Sequence, residues 1–532
     1  MSCRGWRRSI AASLFVLVSA GLGGCARDAR GDTIVLASGA DLEGMNPLAT
    51  VHPLSRQLQR FALFVTLTRL DDALAHQPYF AQSWRWSSDR RSLEIRTFSG
   101  LQWHDHTPVT ARDAAFTLEA ARDPATAFPR AAALAALDSA WASDDTLLVL
   151  RFRTPQPELP VILAELPIAP RHLLGAVPRA ELRRSPFARA PIGCGPFRFV
   201  RRDPGVEWRF ERDTAFPLAL GGPARARGLS VVVIDEPTTK LAGLVSGDLD
   251  VAGIAPTMVT QAERDRTLRV LTYPVLFTHA LVFNTTRAPF DDPRMRHALS
   301  LGINRARIVE LALAGQGAAT RGPLPPGHPL AEGSDAPGVP VSDTVSADRL
   351  LDEVGWRRGL DGARGRNGVP LTLTLRFVSS GDNLIEQLVQ ADLAARGVRV
   401  ELRAMELGAF LAEARRPDKR FDLLVTGIPG DLALSHLNAM FEGREAHGPL
   451  DYAGYHAATL DSAFARTRAA PSAALQATAW RALLRQLDEA EPVAWLAHAR
   501  GVQGLSRRVA GVTMDLRGEL PTVAIWSRAV SP

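Results

Sequence analysis

The chain has 532 residues, which is long for a single core and typical of a protein with two or more lobes. Its hydrophobic fraction of 46% is typical of a globular protein. Three of the excess positive charges lie among the first 24 residues, and the other basic residues are scattered among acidic ones without basic blocks. This pattern argues against a nucleic-acid partner, and no stretch after the N-terminus is apolar enough to span a membrane.

The N-terminus has the layout of a secretory signal peptide. Three arginines precede an uncharged apolar run over 10–20, and small residues follow. This run is shorter than the ~20 residues that cross a bilayer. The stretch Leu22-Gly-Gly-Cys25 resembles the lipobox of bacterial lipoproteins, so we expect residues 1–24 to be removed and Cys25 to be acylated. The alternative is an ordinary signal peptide with an incidental cysteine.

Only three cysteines are present, and Cys3 lies within the predicted signal peptide. If Cys25 is lipidated, Cys194 is the one free thiol left, and an internal disulfide is ruled out. We expect Cys194 to be a small buried residue, because no histidine lies near it in sequence to activate it.

The first half of the chain contains a few clear element signals. Residues Thr33–Ser38 predict a strand, 54–67 a helix, and the alternating stretch Ser92–Thr97 a second strand. Thr110 and Asp113 have the spacing of a capping box, which predicts a helix that runs to about Arg122.

The second half alternates strand and helix twice. The predicted strands are 371–377, 398–403 and 421–426, and the predicted helices between them are 384–395 and 407–415. This alternation implies a parallel sheet with right-handed crossovers, and hence an α/β fold.

Ligands of such sheets sit beyond the carboxyl ends of the strands, which singles out 378–382, 404–406 and 427–431. Asp431 is the strongest candidate for a ligand contact there, since a carboxylate in this loop could bind a cationic group. The alternative is that Asp431 caps a helix that starts near Leu432.

Catalytic and metal-binding signals are weak. His104, Asp105 and His106 have metal-ligating side chains, but zinc needs three or four converging groups, and the alternative is a turn before a helix. The sequence has no HExxH, paired CxxC, phosphate-cradling glycine loop or GxSxG motif. We therefore expect neither an enzyme nor a cofactor.

Several stretches, in order along the chain, resemble one family. The most distinctive is Trp103-His-Asp-His-Thr-Pro-Val-Thr-Ala-Arg-Asp113, which is similar to the pattern F/W-H-D-G-T-P-x-T-A-E-D. The other matches are 43–47, 191–197, 246–250, 283–284, 294–299, 303–305 and 350–356. The ordered set resembles the peptide- and nickel-type (family 5) extracytoplasmic solute-binding lipoproteins of ABC transporters, which include dipeptide- and oligopeptide-binding proteins.

This resemblance implies the two-lobed periplasmic-binding-protein fold (type II, large peptide-binding class) with an extra subdomain in the N-terminal lobe. The expected order is a signal peptide at 1–24, a lipidated tether at 25–32, and lobe I at 33–273 with an insert at about 60–186. Lobe II follows at 274–502, and the tail at 503–532 returns to lobe I. We expect strands at Val493–His498 and Leu520–Trp526 to bring the chain back.

The function implied by the resemblance is capture of a peptide-like solute in the cleft between the lobes, for delivery to the permease of an ABC importer. The expected partners are the solute, the permease subunits and, through the lipid, a bacterial membrane; the protein is expected to be a monomer in the periplasm or at the cell surface. The alternatives are a non-peptide solute (nickel chelate, oligosaccharide or opine) and a receptor or chaperone without transport.

Eight residues are predicted to contact the solute, because an extended ligand can lie between two backbone segments and use side-chain-independent hydrogen bonds. In the peptide-binding members an aspartate at the place of Asp431 holds the α-ammonium of the ligand. The predicted ligand-binding residues are Ala40, Asp41, Leu42, Glu43, Gly427, Ile428, Pro429 and Asp431.

Three positions depart from the family pattern and put peptide specificity in question. His106 replaces a glycine, and Cys194 replaces a threonine between two glycines that we expect to adopt positive φ. Val378-Ser-Ser380 stands where dipeptide binders carry an arginine for the carboxylate of the ligand.

Overall fold

The computed structural model of the chain describes residues 31–331, 342–379 and 383–528. The predicted signal peptide, the predicted lipidation site Cys25 and Ser380 lie outside the described residues. Among those that are described, no helix combines the length and the apolar character needed to cross a bilayer.

Twelve strands lie between residues 31 and 284, and the last of them is unusually long. They are β1 (Thr33–Ser38), β2 (Thr68–Leu70), β3 (His76–Pro78), β4 (Ala81–Trp86), β5 (Ser92–Thr97), β6 (Leu137–Ala142), β7 (Leu147–Phe152), β8 (Phe197–Asp203), β9 (Glu207–Arg212), β10 (Gly228–Val233), β11 (Val251–Gly253) and β12 (Leu268–Phe283).

The later described strands include a second long one, β20. They are β13 (Gly317–Ala319), β14 (Arg357–Arg358), β15 (Arg364–Arg366), β16 (Val369–Pro370), β17 (Thr372–Val378), β18 (Arg399–Met405), β19 (Leu423–Pro429), β20 (Val493–Ser506), β21 (Val509–Ala510) and β22 (Ser527–Arg528).

The α-helices are short in the first half and longer in the second. They are α1 (Pro53–Leu58), α2 (Ala111–Arg122), α3 (Ile162–Glu165), α4 (Arg171–Leu174), α5 (Pro237–Ser246), α6 (Val259–Arg264), α7 (Pro293–Leu301), α8 (Arg305–Arg307), α9 (Thr344–Glu353), α10 (Leu384–Ala395), α11 (Leu407–Ala414), α12 (Ser435–Phe441), α13 (Ala458–Ala469) and α14 (Ala473–Ala490).

One mixed sheet runs through the molecule in the order β18-β17-β19-β12-β20-β11-β1-β10-β9-β8, with β13 paired to β20. Strand β17 pairs in parallel with β18 on one side and with β19 on the other, as the alternation of strands and helices predicts. The two long strands β12 and β20 pair antiparallel at the centre of the sheet. Their register breaks between Pro274 and Thr278.

The buried hydrophobic residues form clusters that fall into two halves. Two clusters take their buried members from 34–273 and 502–526, and we call this half lobe I. Two others take theirs from 280–496, and we call this half lobe II. Strands β12 and β20 contribute to both halves and connect them. The exact limits of the lobes and of the insert stay predictions.

Lobe I contains a second, separate antiparallel sheet in the order β4-β5-β7-β6, against which α2 packs. Alternate residues of β5 are buried, as expected for a strand with one face on a core. The predicted capping box begins α2: the Asp113 carboxylate accepts the N–H of Thr110 at 2.9 Å.

Two element predictions were wrong in part. The predicted helix over 54–67 is α1 followed by a π-turn at Gln59–Leu63, after which Phe64 is extended. The predicted strand Leu520–Trp526 contains Pro521, which has no N–H for a ladder, and a 3₁₀ turn at Val523–Ile525. Its buried residues Leu520, Val523 and Trp526 are spaced by three, which suits this turn and returns the tail to the core of lobe I.

Candidate functional site

A cavity of about 230 Å³ lies in lobe I, and one of its charged residues interacts with a charge of lobe II. Apolar and polar residues contribute about equally to its wall, and three of the lining side chains are charged. The lining residues are Pro47, Thr50, Val51, Phe128, Pro129, Leu166 and Pro167, together with Arg56, Gln59, Arg130 and Glu165.

Helix α1 brings Arg56 to this cavity, and Arg60 follows in the π-turn Gln59–Leu63. Pro53 occupies its first turn, where a missing N–H costs nothing, and the ring of His52 accepts the N–H of Ser55 at 3.3 Å. Because side chains four residues apart lie on one face of a helix, Arg56 and Arg60 project from the same side. The local sequence therefore places two guanidinium groups next to each other.

Arg60 has a buried partner. Its guanidinium lies 3.3 Å from the carboxylate of Glu165, which also pairs with Arg130, and the Glu165 side chain is only 8% exposed. Burial raises the pKa of Glu165, but the Arg130 and Arg60 cations outweigh it and lower the pKa overall. Burial lowers the pKa of Arg60 to about 10. Glu165 and Arg60 are therefore both charged at neutral pH.

Arg56 differs from its neighbours, because no hydrogen bond or ion pair of its guanidinium occurs within the described parts of the chain. Burial lowers its pKa, as does the nearby Arg130 cation, whereas the carboxylates of Glu165 and Asp431 partly offset these effects. Asp431 belongs to lobe II. Arg56 of lobe I is therefore near enough to the Asp431 carboxylate of lobe II for electrostatic attraction.

Asp431 is engaged with its own lobe. Its carboxylate accepts the N–H of Ser435 at 3.1 Å, the hydroxyl of Ser435 at 2.7 Å and the N–H of His436 at 3.0 Å. Burial raises the pKa of Asp431, but its interactions with His436 and Ser435 lower it further than burial raises it. The side chain therefore caps the first turn of α12, which begins at Ser435 rather than near Leu432. Its contact with a ligand ammonium stays a prediction.

His328 completes the lobe II side. Its side chain is buried, and its pKa is lowered to about 4, chiefly by burial and also by the neighbouring His436, with Asp431 acting in the opposite direction. His328 is therefore neutral at physiological pH, and its Nδ1 accepts the N–H of Leu330 at 3.2 Å. At Asp431 and His328, this side of the cleft presents groups that are hydrogen-bonded within lobe II.

A larger cavity of about 340 Å³ lies where the long strands pass between the lobes. Tyr273 of β12 and Arg500 of β20 contribute to its wall, and the loop Pro325–Gly327, directly before His328, contributes the other side. This cavity is large enough for a small solute or for part of a longer one.

The predicted residue Asp41 lies in lobe I, with its carboxylate already occupied. It accepts hydrogen bonds from Arg202 at 2.7 Å, from the indole of Trp208 at 2.8 Å and from the N–H of Gly205 at 3.0 Å. Burial raises the pKa of Asp41, whereas these hydrogen bonds lower it, and the net shift is downward. Asp41 fixes the chain after β1 to the β8–β9 hairpin.

The neighbouring predicted residues also make contacts within lobe I. The backbone of Ala40 is hydrogen-bonded to the hydroxyl of Ser38, and the side chain of Leu42 belongs to the lobe I core. The Glu43 carboxylate accepts the N–H groups of Val51 at 2.9 Å and His52 at 3.1 Å, which fixes the chain before α1. Within the described residues, no hydrogen bond joins them to the predicted residues of lobe II.

Gly427, Ile428 and Pro429 form the end of β19 rather than a loop. They pair with β12 on one edge, and the pairing of β19 with β17 on the other edge stops at Val425. Ile428 is buried in the lobe II core. The ring of Phe277 lies over Gly427, where a Cβ would come within 1.9 Å of it. One backbone edge of this segment therefore lacks a strand partner among the described residues.

The residues weighed as metal ligands have other contacts. His104 Nε2 lies 3.1 Å from the carbonyl oxygen of Gly195, and Asp105 pairs with His172 at 2.7 Å. His106 is exposed and has φ of 71°, which explains the glycine of the family pattern at this position. Within the described ranges, no group of three or more His, Cys, Asp or Glu residues is placed to hold a metal.

The glycines that flank Cys194 are explained by packing. Neither has positive φ, which corrects the expectation from the sequence. A Cβ on Gly193 would come within 2.0 Å of the Leu63 carbonyl oxygen, and one on Gly195 within 2.4 Å of that of Ala62. Cys194 itself is fully buried, and burial raises the pKa of its thiol. This thiol is therefore protonated and unreactive in the folded protein.

Apart from Asp431, the charged residues of the cleft were not identified from the sequence. The local signal is the pair of arginines spaced by four before Phe61. The carboxylate partner of Arg60 is more than 100 residues away in the chain, so no short motif links them. The histidines of lobe II are likewise brought together only by the tertiary fold.

Solved structures of similar fold cover almost the whole chain. The oligopeptide-binding protein AppA from Bacillus subtilis, solved with a nonapeptide, has a TM-score of 0.77 and 22% identity and covers 94% of this chain and 99% of that chain. NikZ from Campylobacter jejuni, solved with Ni(L-His), has a TM-score of 0.77 and 21% identity, with 93% and 99% covered. CtaP from Listeria monocytogenes has a TM-score of 0.82 and 18% identity, with 94% and 99% covered. These likenesses show the two-lobed fold.

Sequence comparison agrees with the fold. The oligopeptide-binding protein AppA of Bacillus subtilis is 22% identical over 511 residues, which cover 93% of this chain and 92% of that protein. The family model of bacterial extracellular solute-binding proteins, family 5 middle, matches residues 75–441, more than half of the chain. The resemblance seen in the sequence is thereby confirmed: the chain belongs to the family 5 bacterial extracellular solute-binding proteins.

Proposed function

We propose that this protein captures a peptide-like solute between its lobes and delivers it to the permease of an ABC importer. Family membership supports solute binding, and a relative and a neighbouring structure named for oligopeptides or solved with a peptide support the solute class. The observation that carries the proposal is the lobe I cavity, where Arg56 has no partner among the described residues and Glu165 is shared by two other arginines. The charged end of a peptide matches such a cavity.

A peptide backbone has a place to bind beside these charges. The open edge of β19 at Gly427–Pro429 can hydrogen-bond to an extended ligand whatever its side chains are. Phe277 is 37% exposed and lies above this segment, where it can pack on a ligand side chain. On the lobe I side, the backbone of Ala40–Glu43 is the predicted counterpart, while the side chains of Asp41 and Glu43 serve the protein itself.

Mass spectrometry tests the proposal directly. The full-length protein is purified without refolding and sprayed under native conditions, and the bound solute is then released with acid and sequenced. A set of short peptides is the expected result. Recovery of a nickel or iron chelate would instead identify the alternative solute class, in line with the Ni(L-His) bound by NikZ. A saccharide or an opine would contradict the peptide assignment as well.

We further propose that Cys25 carries lipid and anchors the protein to the outer face of a bacterial membrane, where it acts as a monomer. The sequence Leu22-Gly-Gly-Cys25 supports this anchor. Several acyl chains on one residue hold a protein stably, because each buried methylene contributes ~0.8 kcal/mol. Cys25→Ser should release the protein from the membrane fraction and abolish labelling with a fatty-acid analogue. Membrane retention of a labelled variant would refute the anchor.

A further inference from the structure

The lobe I cavity contains more positive than negative charge. Arg60 and Arg130 share the single carboxylate of Glu165, and Arg56 adds a third guanidinium that has no partner among the described residues. Even when Asp431 from the opposite lobe is counted, cations exceed carboxylates. The Arg56 cation is half-buried and only partly solvated, so an anion that enters this cavity would be stabilised beside it.

The size of the cavity limits what can enter it. Its volume of about 230 Å³ is smaller than the ~300–1,000 Å³ of pockets that enclose a whole drug-sized molecule. Phe128 and Leu166 form apolar parts of its wall. The Arg56 guanidinium is the charged group of the lining that has no partner among the described residues. The space therefore suits one end of a solute, a small apolar group that bears an anion, rather than the entire solute.

We propose that Arg56 binds a carboxylate of the solute and makes the cleft selective for peptides with a free acidic end in the lobe I cavity. The inference rests on the proposed function and adds the residue that sets the solute class. A guanidinium can donate two parallel hydrogen bonds to a carboxylate, which gives orientation as well as affinity. Asp431 is not an equivalent anchor, because three donors of its own helix already occupy its carboxylate.

The test uses two probes that differ only in their carboxylates. One is a casein digest of short peptides with free carboxylates, and the other is the same digest after conversion of its carboxylates to methyl esters. Each is added to the full-length protein, and the melting temperature is measured. We expect the acid digest to raise the melting temperature of the wild type and the ester digest to raise it much less.

The Arg56→Gln variant should lose this preference. Loss of a charge-assisted hydrogen bond should raise the concentration of acid digest needed for a given rise in melting temperature by about 10- to 100-fold. Arg56→Lys keeps the charge without the paired geometry and should retain part of the preference. The control is Arg85→Gln, which removes an exposed arginine of β4 that pairs with Glu94 and should behave like the wild type. The melting temperatures without digest check that each variant folds.

Two results would overturn the inference, and they are distinguishable. Equal stabilisation of the wild type by both digests, or an unchanged preference in a folded Arg56→Gln variant, would mean that peptides bind without a carboxylate at Arg56. If neither digest stabilised the wild type, the proposed peptide binding would be refuted, and with it the proposed contact between Arg56 and a peptide carboxylate.

Discussion

The two sides of the cleft handle their charges differently. On lobe II, the Asp431 carboxylate is satisfied by three donors of α12, and His328 is buried and neutral. On lobe I, Arg60 and Arg130 share Glu165, and Arg56 is left over. A charged residue at the cleft is therefore not by itself a ligand residue. A group already bound within its own lobe shapes the backbone, whereas an unpartnered group is available to a solute.

The largest effect is expected from Glu165→Gln, which removes the shared anion of lobe I. Two buried cations would then lack a charged partner, and breaking such a pair costs ~3–5 kcal/mol. The free energy of unfolding, measured in urea, should fall by about this amount. Glu94→Gln, which breaks an exposed pair with Arg85, is the matched control and should unfold like the wild type. A small effect of Glu165→Gln would mean that the arginines of lobe I are solvated.

His328 of lobe II is expected to make the stability of the protein depend on pH. Its pKa is about 4 in the folded protein and about 6.5 when unfolded, so the unfolded chain binds more protons between these values. Stability is therefore lost as the pH falls from about 6.5 to 4, and this residue contributes ~2 kcal/mol of loss at pH 5. His328→Gln should lose correspondingly less stability between pH 7 and pH 5 in urea unfolding. An identical pH dependence would contradict a buried neutral histidine.

A smaller effect separates the two roles of Asp431. Asp431→Ala removes the cap of α12 and should lower the free energy of unfolding by about 1 kcal/mol. Asp431→Asn keeps an oxygen acceptor and should lose less stability, although it loses the charge. Urea unfolding of both variants gives the difference. If the two variants were equally stable and as stable as the wild type, the hydrogen bonds to Ser435 and His436 would not support α12.

Much of the fold follows from local sequence signals. The strand β1, the strand β5, the capped helix α2 and the helix α10 lie where periodicity and capping predict them. The family pattern in turn predicts the two-lobed architecture. The π-turn after α1 and the 3₁₀ turn near Trp526 were missed, because tertiary packing and a proline override the apparent periodicity.

The candidate site was less accessible from sequence. The rule for parallel sheets led to 427–431, and these residues do lie at the end of β19. It could not tell that the carboxylate of Asp431 would be occupied by α12. Nor could it find Arg56. This residue stands out only because the nearby carboxylate of Glu165 is already paired with two other arginines.

The most direct test of the account compares Arg56→Gln with Asp431→Asn in binding. The measured quantity is the concentration of unmodified casein digest that gives half of the maximal rise in melting temperature. The account predicts an increase of about 10- to 100-fold for Arg56→Gln and of less than about tenfold for Asp431→Asn. The reverse order, with Asp431→Asn losing binding and Arg56→Gln retaining it, would contradict the account and make Asp431 the charged residue that holds the solute.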